Sequence, residues 1–260
     1  MPLRIHEIFV SDDNEDTQFI NDLVNVLVHD HRSYRFNGSY QKNDYHLISY
    51  DIYNKENTKI VFKLIFTLKN TNNGNELWDV DITIPNDNLI TIDFLDTAYD
   101  DNDNPIEYWD TEYENLRLNV ETVNTAIVEP NVIGKHSVSL SAIPFGEIKY
   151  ARSLDELNHL YGFPIERNDE EGVHKINGFS ERYTGIDMMI AKVITHEFIE
   201  FEVGERTYSC MIAQLETGFD KLPILIPIEF KNKIEDGDYI GFRADIKADL
   251  SVGENSYYNH

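Results

Sequence analysis

The sequence is short of cysteine, of long apolar runs and of positive charge. Cys210 is the only cysteine among 260 residues, which excludes an intrachain disulfide and a cysteine-based zinc site within one chain. No run of 18 apolar residues occurs, so no membrane-spanning helix is predicted. Residues 1–7 lack the apolar region of a signal peptide. Together these absences predict a protein of the reducing cytoplasm.

Positive charge is scarce throughout the chain. Lys and Arg number 22 against 47 Asp and Glu, so the formal net charge is −25 at pH 7. A field of that sign disfavours direct binding to nucleic acid or to an anionic membrane, because both are polyanions. The same field favours a basic protein partner.

One stretch of the sequence concentrates the acidity. From Asp93 to Glu114 there are nine carboxylates and no Lys or Arg. Tyr and Trp, which are enriched at interaction hot spots, are interleaved with them. We expect a long loop or a short irregular helix from residue 95 onward, after a strand that ends at Phe94. The residues expected to contact a basic partner are Asp93, Asp96, Asp100, Asp101, Asp103, Glu107, Tyr108, Trp109, Asp110, Glu112 and Glu114.

Two other interpretations of the acidic stretch stay open at this point. A solvated acidic loop would have the same composition, with its Tyr and Trp residues tucked beneath it as core anchors. Calcium binding is disfavoured. Asp101, Asp103 and Glu112 match the first, third and twelfth positions of a helix–loop–helix calcium loop, but Pro105 and Ile106 stand where an oxygen ligand and a glycine are needed.

The sequence contains no motif for a cofactor, a metal or a nucleophile. The glycine-rich phosphate loops and the Gly-x-Ser-x-Gly elbow are missing. His29 and His31 lie at the end of a predicted helix, where residues two apart diverge, so capping is favoured over metal ligation. Cys210 lies mid-strand, where a buried small hydrophobe is expected. We therefore expect a non-enzymatic protein with no cofactor and no metal site.

Hydrophobic periodicity predicts a mainly β (α+β) protein of two parts. We expect an antiparallel β-rich, sandwich-like domain over residues 1–150, a connecting segment over 151–185, and a small β-barrel-like domain over 186–260. A first helix is predicted over 17–30. A capping-box pattern at 153–156 predicts a second, short helix in the connecting segment.

Alternation of apolar and polar residues predicts the strands of the first part. Strands are expected at 46–53, 59–68, 77–84, 89–94, 116–128 and 136–143, with a helix as the alternative for 116–128. Residues 59–68 and 77–84 should form an antiparallel hairpin with one wet, acidic face that carries Asp79 and Asp81. Residues 89–94 should add a third strand to that meander.

Five short strands are predicted between residues 187 and 249, including 187–195 and 197–203. Strands of this length and spacing favour a small closed five-stranded barrel. Residues 233–243 resemble the Gly–Asp turn and following strand of many small barrels. Through its alternation and turns, a stretch of about 65 residues resembles an oligonucleotide-binding-type barrel. The resemblance transfers no binding residue.

The sequence leaves three functions open. The leading one is a non-enzymatic acidic interaction protein that binds a basic protein partner through a carboxylate-rich surface, with mimicry of nucleic acid as one form. The first alternative is an oligonucleotide- or ligand-binding barrel of the type just described. The second is a metal-dependent hydrolase with carboxylate ligands dispersed through the fold.

Overall fold

The computed structural model describes residues 34–42, 44–99, 105–113, 116–122, 133–161, 172–174, 186–203, 206–217 and 220–249. Within these residues the protein is mainly β, with two sheets and a single α-helix. The predicted fold class is therefore confirmed. The helix predicted over 17–30 lies outside the described residues.

The first sheet contains four antiparallel strands, arranged in chain order. They are β1 (Tyr34–Lys42), β2 (Tyr45–Tyr53), β3 (Ile60–Thr71) and β4 (Gly74–Thr83). The hairpin predicted from the alternating residues is confirmed as the pair β3–β4. Its turn needs Gly74, because the φ of +115° found there is a conformation that residues with a Cβ rarely adopt.

The second sheet contains nine strands within the described residues. They are β5 (Leu89–Tyr99), β6 (Pro105–Tyr113), β7 (Leu116–Thr122), β8 (Gly134–Ala151), β9 (Gly172–His174), β10 (Ile186–Val203), β11 (Arg206–Thr217), β12 (Asp220–Pro227) and β13 (Tyr239–Asp249). Strands β8, β12, β11, β10 and β13 close into a ring of hydrogen-bonded neighbours. It is not a regular barrel, because β12 and β8 meet at one register pair, Ile224 with Ala142. A second circuit closes through β5, β6 and β7 and shares the β8–β13 pair.

Two details of the predicted barrel are wrong. The strands expected at 187–195 and 197–203 are one strand, β10, because a bulge between Val193 and Thr195 bends the chain without ending its pairing with β11. The remaining strand of the ring is β8, which precedes the predicted connecting segment. The division into domains stays a prediction, although β8 pairs with strands that lie beyond the expected boundary.

The strand predicted at 89–94 does not continue the first sheet. It is part of β5, which pairs with β8 and β6. The chain changes sheets at Asn86, whose side-chain amide donates to the carbonyl oxygens of Leu140 at 3.1 Å and Lys221 at 3.2 Å. The hydroxyl of Ser139 donates to the Asn86 carbonyl oxygen at 3.2 Å. These three bonds fasten the connection to the second sheet.

The two largest buried clusters of the described residues stabilise the fold. The first lies within the second sheet and includes the alternate residues Ile240, Phe242, Ala244, Ile246 and Ala248 of β13. The second lies between the sheets, where Phe62 of β3 meets Phe201 of β10 edge to face, with the ring centroids 5.1 Å apart. The inside of the second sheet is therefore occupied by the protein's own side chains.

The helix predicted after residue 153 is confirmed as α1 (Leu154–Tyr161). The N–H of Glu156 donates to the Ser153 hydroxyl at 3.3 Å, and the Glu156 carboxylate accepts from the N–H of Arg152 at 3.2 Å. This is a capping box displaced by one residue, because the returning bond reaches Arg152 instead of the cap itself. Leu157 is buried, so it anchors the helix on the sheet.

We expect Gly241→Ala to lower the free energy of unfolding by about 1–3 kcal/mol, the usual cost of overpacking. A Cβ at position 241 would lie 2.5 Å from the hydroxyl oxygen of Tyr161 and 2.6 Å from its ring. Urea denaturation measures the loss. In a Tyr161→Ala background the same substitution should cost much less, because the colliding ring is gone. Equal costs in the two backgrounds would contradict this contact.

Candidate functional site

The acidic stretch forms paired strands. Its described parts belong to β5 and β6, which run antiparallel. The sequence expectation of a loop or an irregular helix is therefore wrong for residues 95–99 and 105–113, whereas the strand expected up to residue 94 is present. The physical reason is that Thr97, Tyr108, Trp109 and Thr111 favour extended backbone, and this preference outweighs the repulsion between neighbouring acids.

The structure places most of the predicted contact residues in this hairpin. Those within β5 or β6 are Asp93, Asp96, Glu107, Tyr108, Trp109, Asp110 and Glu112. The others, Asp100, Asp101, Asp103 and Glu114, lie outside the described residues. We use the name acidic hairpin for β5 and β6 together.

The register of the acidic hairpin places acids opposite each other. Asp93 pairs with Glu112, and Asp96 pairs with Asp110. Directly opposite residues in antiparallel strands have Cα atoms about 4.5–5.5 Å apart, and like charges in such positions destabilise a sheet. A bulge between Phe94 and Asp96 creates the second pair, since regular pairing would put residue 95 opposite Asp110. The hairpin therefore gathers negative charge at a cost in stability.

In the register, a basic residue stands opposite each member of the first acidic pair. Lys135 of β8 stands opposite Asp93, and Arg117 of β7 stands opposite Glu112. The second pair has less compensation. Asn119 stands opposite Asp110, and the register between β5 and β8 ends at Phe94 and Gly134, before Asp96 is reached. In the register, the Asp96–Asp110 pair is therefore the one without a basic residue opposite either member in the described strands.

The other acidic face predicted from the sequence is buried at Asp81. Asp81 is 6% exposed, and its carboxylate accepts a hydrogen bond from the Lys247 ammonium of β13 at 2.9 Å. Lys63 of β3 makes a second ion pair with Asp249 at 3.1 Å. The expectation of a wet face on β4 is therefore wrong at Asp81, because that carboxylate joins the first sheet to the second.

Burial raises the pKa of two groups near the interface of the sheets. The pKa of the Cys210 thiol is raised to about 12 because apolar side chains surround it. The thiol is protonated at neutral pH, and its expected role as a buried small hydrophobe is confirmed. Burial also raises the pKa of Asp51, an effect that the nearby Lys63 ammonium opposes.

Two concave sites lie elsewhere on the described surface. One is a polar groove of about 340 Å³ between the β2–β3 turn and the 3₁₀ turn Ile228–Phe230, along residues 197–200 of β10. The other is a more apolar cavity of about 390 Å³ beside α1, lined in part by Tyr150 and Leu160. Sequence reasoning missed both, since each joins residues far apart in the chain.

The described residues provide no metal centre and no membrane anchor of helical type. No group of three or more His, Cys, Asp or Glu in this part of the chain is placed to hold a metal ion. No helix there combines the length and the apolarity needed to cross a bilayer. His29 and His31 lie outside these residues.

No family model, curated protein or solved structure matches this chain.

Proposed function

We propose that this chain is a non-enzymatic, cytoplasmic interaction protein that binds a basic protein partner through the acidic hairpin. The observation that supports this function is the register of Asp93 with Glu112 and of Asp96 with Asp110. A sheet under selection for stability alone would place neutral or opposite charges in such positions. A Lys or Arg from a partner, shared by two carboxylates, would convert each repulsive pair into a charge-assisted contact.

One form of this function is mimicry of nucleic acid. A protein that neutralises phosphates with Lys and Arg offers cations that carboxylates on neighbouring strands can also engage. The net charge of −25 supports this form, because a strong field of one sign accelerates encounter with a basic partner.

Binding of a 20-residue poly-lysine peptide to the full chain tests the proposal. We expect the affinity to fall roughly tenfold or more between 50 and 500 mM salt, because the contacts are ionic. Neutralising the hairpin with Asp93→Asn, Asp96→Asn, Asp110→Asn and Glu112→Gln should weaken binding by roughly fivefold or more. Asp96→Asn and Asp110→Asn alone should raise the free energy of unfolding by about 0.2–1 kcal/mol, because they relieve one repulsive pair and leave the carboxylates opposite Lys135 and Arg117 in place.

A matched variant separates the hairpin from net charge. Asp87→Asn, Glu147→Gln, Glu216→Gln and Glu229→Gln also remove four negative charges, at exposed positions outside the hairpin. This variant should retain most of the affinity. Equal losses in the two variants would show that the peptide responds to net charge alone, and binding that is insensitive to salt would end the proposal.

A second candidate function is the binding of oligonucleotides or another ligand by the ring, as in the oligonucleotide-binding-type barrels that this part of the sequence resembles. The closed ring of β8, β12, β11, β10 and β13 favours it, and aromatic and basic residues on such a surface would stack with bases. A ligand would have to bind outside the ring, since buried side chains fill the sheet's interior. A mobility-shift assay of the full chain with a single strand of about 16 nucleotides tests it. An absent shift at low salt removes this candidate.

A further inference from the structure

Strand β10 is paired along one side and interrupted along the other. β11 pairs with it from Lys192 to Val203. On the opposite side, β13 pairs with residues 186–191. Val193 then exchanges two backbone bonds with the turn at 237–238, of 2.7 and 2.8 Å, and the N–H of Lys55 donates to the carbonyl oxygen of Glu200 at 2.8 Å. Between these two anchors the strand edge is open within the described part of the chain.

The anchors show which backbone groups face the open side. In an antiparallel strand the N–H and C=O of one residue point to the same neighbour, and successive residues alternate. Because Glu200 faces the open side, Phe198 and His196 do so too, while Glu197 and Ile199 face β11. The backbone groups of Val193 point to the same side, because the extra residue of the bulge that follows it shifts the alternation by one. No described segment bonds the backbone groups of His196 and Phe198 on this side.

This open edge forms the floor of the polar groove. The Phe198 side chain is 37% exposed, with the Lys231 ammonium 5.0 Å from its ring centroid and the His196 ring 5.5 Å away, edge to face. Lys59 and Glu197 form an ion pair at the opposite wall. The groove volume of about 340 Å³ falls within the range of about 300–1,000 Å³ that is usual for ligand sites.

We propose that this edge binds an extended peptide segment of a partner protein by β-strand addition. Two N–H and two C=O groups at strand spacing are what an added strand requires. The bulge takes up one of the steps between Val193 and Glu200, so this edge spans about 20 Å at about 3.3 Å per residue. Its two ends are already bonded, which leaves room for about four or five residues of the peptide. The site does not depend on the acidic hairpin binding anything.

The shape and charge of the groove restrict the kind of segment that can bind there. The turns at 54–59 and 228–238 stand on either side of the open edge, so a single strand fits and the flat edge of a second folded copy is excluded. Three carboxylates, those of Glu56, Glu197 and Glu200, line the groove with the ammonium groups of Lys59 and Lys231. The Lys55 ammonium pairs with Glu200 at 3.3 Å, so the charges at the groove are balanced. The net charge of −25 on the whole molecule therefore favours a neutral or basic segment over an acidic one.

Hydrogen exchange of the free protein tests the open edge itself. The amide hydrogens of His196 and Phe198 should exchange at least tenfold faster than those of Glu197 and Ile199, which donate to β11. Equal protection of all four amides would overturn the proposal, because the edge would then already be covered.

Titration with the peptide acetyl-Thr-Val-Lys-Val-Thr-amide, followed by NMR, tests binding. The amides of His196 and Phe198 should shift and become protected, and the analogue with Glu in place of Lys should bind more weakly. N-methylation of one alternate set of peptide residues should weaken binding at least tenfold, whereas methylation of the other set should not, because alternate residues of an added strand bond the edge. No shift at millimolar peptide, or equal effects of the two methylations, would overturn the proposal.

A pair of matched variants locates the site. Phe198→Ala should weaken the peptide several-fold, because the exposed ring forms one wall of the groove. Phe36→Ala, at an exposed ring on β1 of the first sheet, should leave the affinity unchanged. Loss of affinity in both variants, or in neither, contradicts peptide binding at this edge.

Discussion

Replacing Lys247 by Met should lower the free energy of unfolding by about 3–5 kcal/mol. The Lys247 ammonium of β13 bonds the Asp81 carboxylate of β4 at 2.9 Å, and the two side chains are only 9% and 8% exposed. Without this cation the carboxylate remains at a site where water cannot solvate it fully, which is the costly part of breaking a buried pair. Equilibrium urea denaturation measures the change through the midpoint concentration at a constant slope.

Two controls separate burial from charge. Lys55→Met makes the same change at the Lys55–Glu200 pair, whose atoms lie 3.3 Å apart and whose side chains are 46% and 59% exposed. It should cost about 1 kcal/mol or less, because solvent screens exposed pairs. Adding Asp81→Leu to Lys247→Met removes both charges and should recover stability relative to Lys247→Met alone. Similar losses at the two lysines would mean that the Lys247 pair is solvated in solution.

Phe201→Ala should also cost about 3–5 kcal/mol, because it opens a cavity between the two sheets. The ring is fully buried, stacks on Tyr208 at 5.8 Å and meets Phe62 of the first sheet at 5.1 Å. Since the contact joins the two sheets, far-UV circular dichroism and tryptophan fluorescence should report one transition that moves to lower urea as a whole. Phe36→Ala, at a ring that is 61% exposed, should cost about 1 kcal/mol or less.

The number of transitions also tests the organisation of the chain. Phe62 and Phe201 lie on opposite sides of the expected boundary at 151–185. Two separate transitions, with only the later one moved by Phe201→Ala, would contradict a shared core and favour the division into domains. A single transition would mean that the sheets unfold together.

The alternation of apolar and polar residues predicted most strands, because this pattern can be recognised within a few neighbouring residues. It did not predict which strands pair. The place of β5 in the second sheet depends on hydrogen bonds from Asn86 to Leu140 and Lys221, which lie 54 and 135 positions later in the chain. Strand β10 was predicted as two strands because its bulge shifts the alternation of apolar and polar residues by one position. In the sequence this shift looks like the end of a strand near His196.

The candidate sites were predictable to different degrees. Composition located the acidic stretch, but its form was mistaken because clustered Asp residues suggest a loop when their aromatic and β-branched neighbours are given too little weight. The burial of Asp81 depends on Lys247, 166 residues later in the chain, so no local pattern could indicate it. The groove was equally hidden, since Lys59 and Glu197 in its walls are 138 residues apart.

The two rings of hydrogen-bonded strands in the second sheet share one pair of strands, β8 and β13. During synthesis at about 5–20 residues per second, neither ring can be completed until residue 249 has left the ribosome. Strands β5 to β8 would until then present unsatisfied edges to other nascent chains, a recognised route to aggregation. A chaperone that retains the growing polypeptide should therefore matter more for this protein than for one whose sheets are assembled in order of translation.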